Sequence, residues 1–147
     1  MSKNKYLMKL KKFIPLIYLF IGTLALQPPS LAKEKIEVTP LIQTSEGLSG
    51  KNFNYLDGKP ELRLLRIMIP VGVKTPIHTH PAPMLIYVTR GKIKHVRGEE
   101  INFFKAGDAF VESNNAGAHY VQNIGKKPVI IHVGVLSVVG MPTTINK

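Results

Sequence analysis

The sequence predicts an all-β domain, and three observations carry that expectation. Apolar residues alternate with period two, turns bearing glycine or asparagine recur at short intervals, and no window after residue 32 reaches helix length with a 3.6-residue period. Many short strands at close, regular spacing point to a sandwich or a closed barrel.

The elements follow in chain order. Residues 1–32 have the three-part layout of a secretory signal peptide. Lys3, Lys5, Lys9, Lys11 and Lys12 form a basic stretch, "FIPLIYLFIGTLAL" (13–26) is apolar, and Ser30 and Ala32 are small residues ahead of a cleavage after Ala32. The apolar run is short against the roughly 20 residues that span a bilayer as a helix. An uncleaved anchor is the competing reading; the expectation is removal of the segment, export to a periplasm or the medium, and no stable membrane span afterwards. Residues 33–60 read as a lead-in: a strand at "KIEVTPLIQ" (35–43), then an irregular loop. The main body is expected over 61–139, starting with "ELRLLRIMIP" (61–70), whose two faces alternate. Further strands are expected at 84–89, 92–96, 100–104, 109–113, 119–124 and 129–139, separated by "TRGK", "RGEE", "KAGD", "SNNAGA" and "IGKKP". Residues 140–147 read as a loose tail.

Composition narrows the function. The formal charge of +11 falls to +6 when the five lysines of residues 1–32 are set aside, and the remaining charges are scattered. No basic stripe interleaved with aromatics marks a nucleic-acid surface. The absence of cysteine excludes disulfides, thiolate metal sites and a cysteine nucleophile. Stability must come from packing or assembly, and a homodimer is expected, with the lead-in strand pairing across it.

The chemistry centres on "TPIHTHPAPMLIYVTRG" (75–91). On a strand, His78 and His80 project to one face, with β-carbons roughly 6.6 Å apart, near enough for one ion. A third ligand is required, and His119 is the candidate. No acidic residue follows shortly after the pair; Met84 and Leu85 stand in its place. His95, among Lys94 and Arg97, reads as a solvated strand-end imidazole. His132, set in "VIIHVGVL", reads as a satisfied core residue, with a pocket wall as the alternative. Tyr87, Phe110 and Tyr120 either line a cavity or fill the interior, and alternation turns Tyr120 away from the side of His119.

These motifs resemble the cupin family, which has small jelly-roll β-barrels. Gly72, His78, His80 and Gly91 fall at the positions of the first cupin motif, with Met84 where its glutamate belongs. Gly107, His119 and Asn123 match the second, opening with "GDAFVE". Ser113 replaces the usual proline, and the gap from Gly107 to His119 is one residue longer than the common form. The resemblance implies a divalent metal bound inside the barrel by His78, His80 and His119. Zn, Fe, Ni, Cu and Mn all suit such imidazoles. Met84 is read as an apolar gap-filler rather than a thioether ligand. Glu112 is the best replacement anion, with a solvated place at the barrel mouth as its alternative. Asn123 is expected to satisfy backbone or to orient a histidine.

The expected function is an exported single-domain cupin that binds a metal and acts on, or binds, a small molecule. The alternative is a metal-free ligand-binding or structural cupin without catalysis. No catalytic residue is assigned.

Overall fold

A computed structural model describes residues 34–147 of the chain, so the expected signal peptide lies outside the described residues. Within these, the protein is all-β, with β1 (Pro60–Ile69), β2 (His78–Thr79), β3 (Met84–Arg90), β4 (Lys92–Arg97), β5 (Glu100–Lys105), β6 (Ala109–Glu112), β7 (Tyr120–Asn123), β8 (Val129–Val138) and β9 (Ile145–Asn146). The strands expected from residue 61 onward are all present, with ends shifted by a residue or two. One sheet has the order β1-β8-β3-β6, a second β5-β4-β7, and β2 pairs with β9. Every strand pairing is antiparallel.

Period-two alternation decides what is buried. Met84, Ile86 and Val88 of β3 point inward, as do Val129, Ile131, Val133 and Val135 of β8. They join Ile93 of β4, Phe110 of β6 and Val121 of β7 in one apolar cluster, so the two larger sheets share a core. Phe104 of β5 stacks on Phe110 at 4.0 Å between ring centroids.

Two expectations are corrected. Residues 35–43 form no strand; Pro40 lacks a backbone donor, and Val38 and Leu41 are exposed. The later lead-in is irregular but anchored, for the Leu48 N–H donates to Val111 O and the Ser113 hydroxyl to Lys51 O. The segment 140–147 is not loose, because it supplies β9, with His78 opposite Asn146 and Thr79 opposite Ile145.

Gly91 joins β3 to β4 at φ 89°, a region that L side chains rarely adopt. A Cβ there would lie 2.6 Å from Val129 Cγ2 and 3.1 Å from its Cα. Gly72 has a similar φ of 74° but open space around it. Gly91→Ala is therefore expected to cost about 2–4 kcal/mol, combining backbone strain with overpacking, and Gly72→Ala only about 1–2 kcal/mol. Urea unfolding of the two variants measures the difference.

Candidate metal centre

A seam of backbone hydrogen bonds assembles the site. The segment before β2 runs antiparallel to β7: Asn123 N–H donates to Val73 O, Thr75 N–H to Val121 O, and His78 and His119 exchange N–H to carbonyl bonds of 2.9 Å in both directions. That reciprocal pair sets the two histidines directly opposite each other. His80 follows on the same side as His78. The ring centroids lie 4.4 Å apart for His78 and His119, 4.8 Å for His78 and His80, and 5.1 Å for His80 and His119. One ring nitrogen from each falls within 4.8 Å of the others, as a shared ion requires.

The outer hydrogen bonds fix two of the rings. His78 Nδ1 lies 2.8 Å from Pro76 O, and His80 Nδ1 lies 3.0 Å from Thr143 O. A carbonyl oxygen only accepts, so each Nδ1 carries the proton and each Nε2 keeps its lone pair.

Glu112 stands opposite Met84 in the β3–β6 register, which places a carboxylate beside Met84 on the neighbouring strand. It is fully buried. Oε2 pairs with Arg97 Nη2, and Oε1 lies 2.7 Å from His95 Nε2 and 4.0 Å from His119 Nε2. The approach of His95 is at ion-pair distance without the alignment of a hydrogen bond. His95 Nε2 and Glu112 Oε1 face each other, while His95 Nδ1 and His119 Nδ1 are buried without a hydrogen-bond partner among the described residues. Such atoms call for a partner, and a cation beside Oε1 and the imidazoles suits their chemistry. The residues present therefore fit a divalent metal. His95, Glu112 and His119 form a second group whose ligand atoms are equally close.

Charge follows the packing. Burial would raise the Glu112 carboxyl, but His95 against Oε1, then the charges of His119, His95 and Arg97, outweigh it and hold it at about 2. His119 is pushed down to about 3, first by burial, with Glu112 opposing and His95, His78 and His80 adding to the depression. His80 is also lowered, mainly by burial, against the Thr143 carbonyl bond that raises it.

Several expectations change. His95 is not solvated: β4 alternates Ile93, His95, Arg97 inward, leaving the imidazole fully buried and stacked on His119 with 4.6 Å between centroids. Its phase with Ile93 was the signal that could have found both His95 and Arg97. His132 is neither core nor pocket wall; Ile131 and Val133 take the inner face, and its ring lies half-buried on the other, 3.4 Å from the Thr89 hydroxyl. Asn123 is buried and serves backbone, donating to Ile69 O and Lys127 O and accepting from Gly125 N–H. Met84 is buried in the cavity wall beside Glu112. Phe110 also lines the cavity, whereas Tyr120 sits under the Lys74 ammonium at 4.5 Å.

The cavity in front of the histidines is about 240 Å³. Its walls are apolar, built from residues such as Ile69, Ile86, Phe110 and Ile131, with Thr143, Thr144 and Asn146 at one side. The histidine cluster thus gives a polar pole to a largely apolar chamber.

The depressed imidazoles set a pH dependence. An unfolded His119 takes up a proton near 6.5, but the folded one resists until about 3. The metal-free protein therefore loses stability as pH falls through that window, by at most about 1.4 kcal/mol per pH unit for such a histidine. Glu112 acts in the same direction lower down: its contribution is full above 4.5 and is lost as pH falls through about 2. Urea midpoints are expected to fall from pH 7 to pH 5, and His119→Gln to flatten that slope.

The family model for the cupin domain (Cupin_2) matches residues 65–139. No curated protein matches the chain. Among solved structures, the polyketide cyclase RemF from Streptomyces resistomycificus superimposes with a TM-score of 0.50 at 18% identity, over 60% of this chain and 61% of that one. The DMSP lyase DddQ from Ruegeria pomeroyi DSS-3 gives 0.49 at 17% identity, over 58% of this chain and 43% of the lyase. A cupin-like protein from Thermotoga maritima MSB8 gives 0.47 at 21%, over 58% and 64%. The chain thus spans less than two thirds of each of these proteins. With both histidine motifs in register on antiparallel sheets and most of the main body matched by the family model, the chain belongs to the cupin family.

Proposed function

We propose that this protein is an exported cupin that holds a divalent metal through His78, His80 and His119, with Glu112 as the compensating anion, and takes a small molecule into the adjoining cavity. The observation that carries this reading is the pair of Nδ1 bonds to Pro76 O and Thr143 O, which leaves the Nε2 lone pairs of His78 and His80 for an ion. When bound, such an ion supplies Lewis acidity and a template for a substrate oxygen.

The chain's own residues set the rest of the chemistry. A carboxylate held at about 2 accepts protons poorly, so Glu112 offsets charge rather than acting as a base. His95 first, and then Arg97, keep it ionised, and the Arg97 pair holds it in place. The apolar walls exclude water and favour a compact ligand with a polar end facing the histidines. At about 240 Å³ the chamber lies below the usual range for drug-sized ligands. Jelly-roll closure of the two sheets into a barrel belongs to the same reading.

A second reading has its own support. Arg97 already offsets the Glu112 charge, with His95 2.7 Å from its other oxygen, which suits a metal-free barrel that binds a ligand without catalysis. Metal analysis separates the two. After loading with Zn, Ni, Fe, Mn or Cu, the wild-type protein is expected to hold one ion. His78→Ala and His119→Ala are expected to lose it, and Glu112→Gln to bind about 10- to 100-fold more weakly. No bound ion in the wild type would decide for the metal-free reading.

Export rests on the basic stretch, the apolar run and the small residues Ser30 and Ala32. Among the described residues, no helix is long and apolar enough to cross a membrane. A homodimer is supported by the exposed Leu62, Leu64 and Met68 on the outer face of β1, which pairs with β8 on one side and has no strand on its other edge among the described residues. Intact mass of the protein recovered from a bacterial periplasm is expected to start at Lys33. Its elution on size exclusion is expected at twice the mature mass.

A further inference from the structure

We infer that Arg63 is a positioning residue for the metal centre, acting as the latch that holds segment 141–147 against it; the metal-affinity part of this inference rests on the function proposed above. Arg63 lies on the inner face of β1, two residues after Glu61, and makes no contact with the histidines itself. Its guanidinium is spread over four acceptors. Nε and Nη2 donate to Glu61 Oε2, at 3.0 and 2.8 Å, and Nη2 also donates to Ser137 Oγ at 3.0 Å. Toward the segment, Nη2 donates to Met141 O and Nη1 donates to Thr143 Oγ1 at 2.6 Å.

Thr143 is the link. The residue whose hydroxyl Arg63 grips offers its carbonyl to His80 Nδ1 at 3.0 Å. The same segment then pairs as β9 with β2, which carries His78, and Lys147 N–H donates to Ile77 O at 2.9 Å. Thr143, Thr144 and Asn146 face the cavity. A two-residue strand pairing is too short to hold a segment alone; Met141 packs against the core at its start, and the guanidinium fork is what fixes Thr143 beyond it. His78 differs from His80 here, because its carbonyl partner is Pro76, two residues away on its own strand approach. Release of the segment therefore removes the orienting bond of His80 and leaves that of His78 intact.

Lysine keeps the charge but cannot span these acceptors, and methionine keeps the apolar stem without the fork. The test compares the wild type with Arg63→Lys, Arg63→Met and Thr143→Val, the last removing one acceptor without touching β1. Hydrogen exchange and ¹⁵N ring signals are recorded on metal-free protein, and Zn(II) affinity by competition titration, with urea midpoints checking the fold. Both Arg63 variants are expected to lose amide protection over residues 141–147. His80 is expected to lose its fixed Nδ1–H signature while His78 keeps it, and Zn(II) affinity to fall about tenfold. Thr143→Val is expected to move the same readouts in part. Unchanged protection over 141–147, or lost protection with His80 unmoved, would overturn the inference. A wild type that binds no Zn(II) removes the metal reading, whereas exchange and ring signals still decide the latch.

Discussion

The reciprocal backbone pair between His78 and His119 is the constraint from which the site hangs. Two 2.9 Å hydrogen bonds lock a residue before β7 to the first residue of β2, and the bonds from Asn123 to Val73 and from Thr75 to Val121 continue the same seam. Opposed residues on antiparallel strands bring their side chains within 4.5–5.5 Å at Cβ, so two imidazoles distant in sequence become neighbours without any bound ion. His80 joins them through its bond to Thr143, and the three rings converge on the polar pole of the cavity.

That convergence has an electrostatic consequence. Burial comes first and the neighbouring imidazoles of His95, His78 and His80 add to it, which is why His119 is pushed so far down against the pull of Glu112. The compensating negative charge is Glu112, placed by β6 behind His119 and secured by Arg97. Breaking a buried pair of this kind by removing one partner costs about 3–5 kcal/mol in general. Structure and chemistry are thus joined at one carboxylate, which neutralises Arg97 and supplies negative charge beside the imidazoles.

Several features were legible in the chain because they are local. The alternation of β1, β3 and β8 marked the strands, and the spacing of His78, His80 and His119 marked the centre. Glu112 was legible as the best candidate for a missing anion, though its pairing with Arg97 was not. His95 was misread because its charged neighbours suggested solvent, whereas its phase with Ile93 turns it inward. His132 was misread in the opposite sense: apolar neighbours on both sides suggested burial, but on a strand those neighbours occupy the other face. Where one face of a strand is buried, phase outweighs the company a residue keeps.

The sequence by itself determined the longer strands from β1 to β8, the order of the two histidine motifs and the glycines at the turns, since each follows from backbone preference or period two within a few residues. Tertiary structure alone decided that Glu112 faces Met84, that His95 stacks on His119, and that residues 141–147 return to the cavity and orient His80. These are matters of register and through-space contact between distant segments. A strand's own periodicity says which residues share a face, but only its hydrogen-bonded partner says what that face will meet.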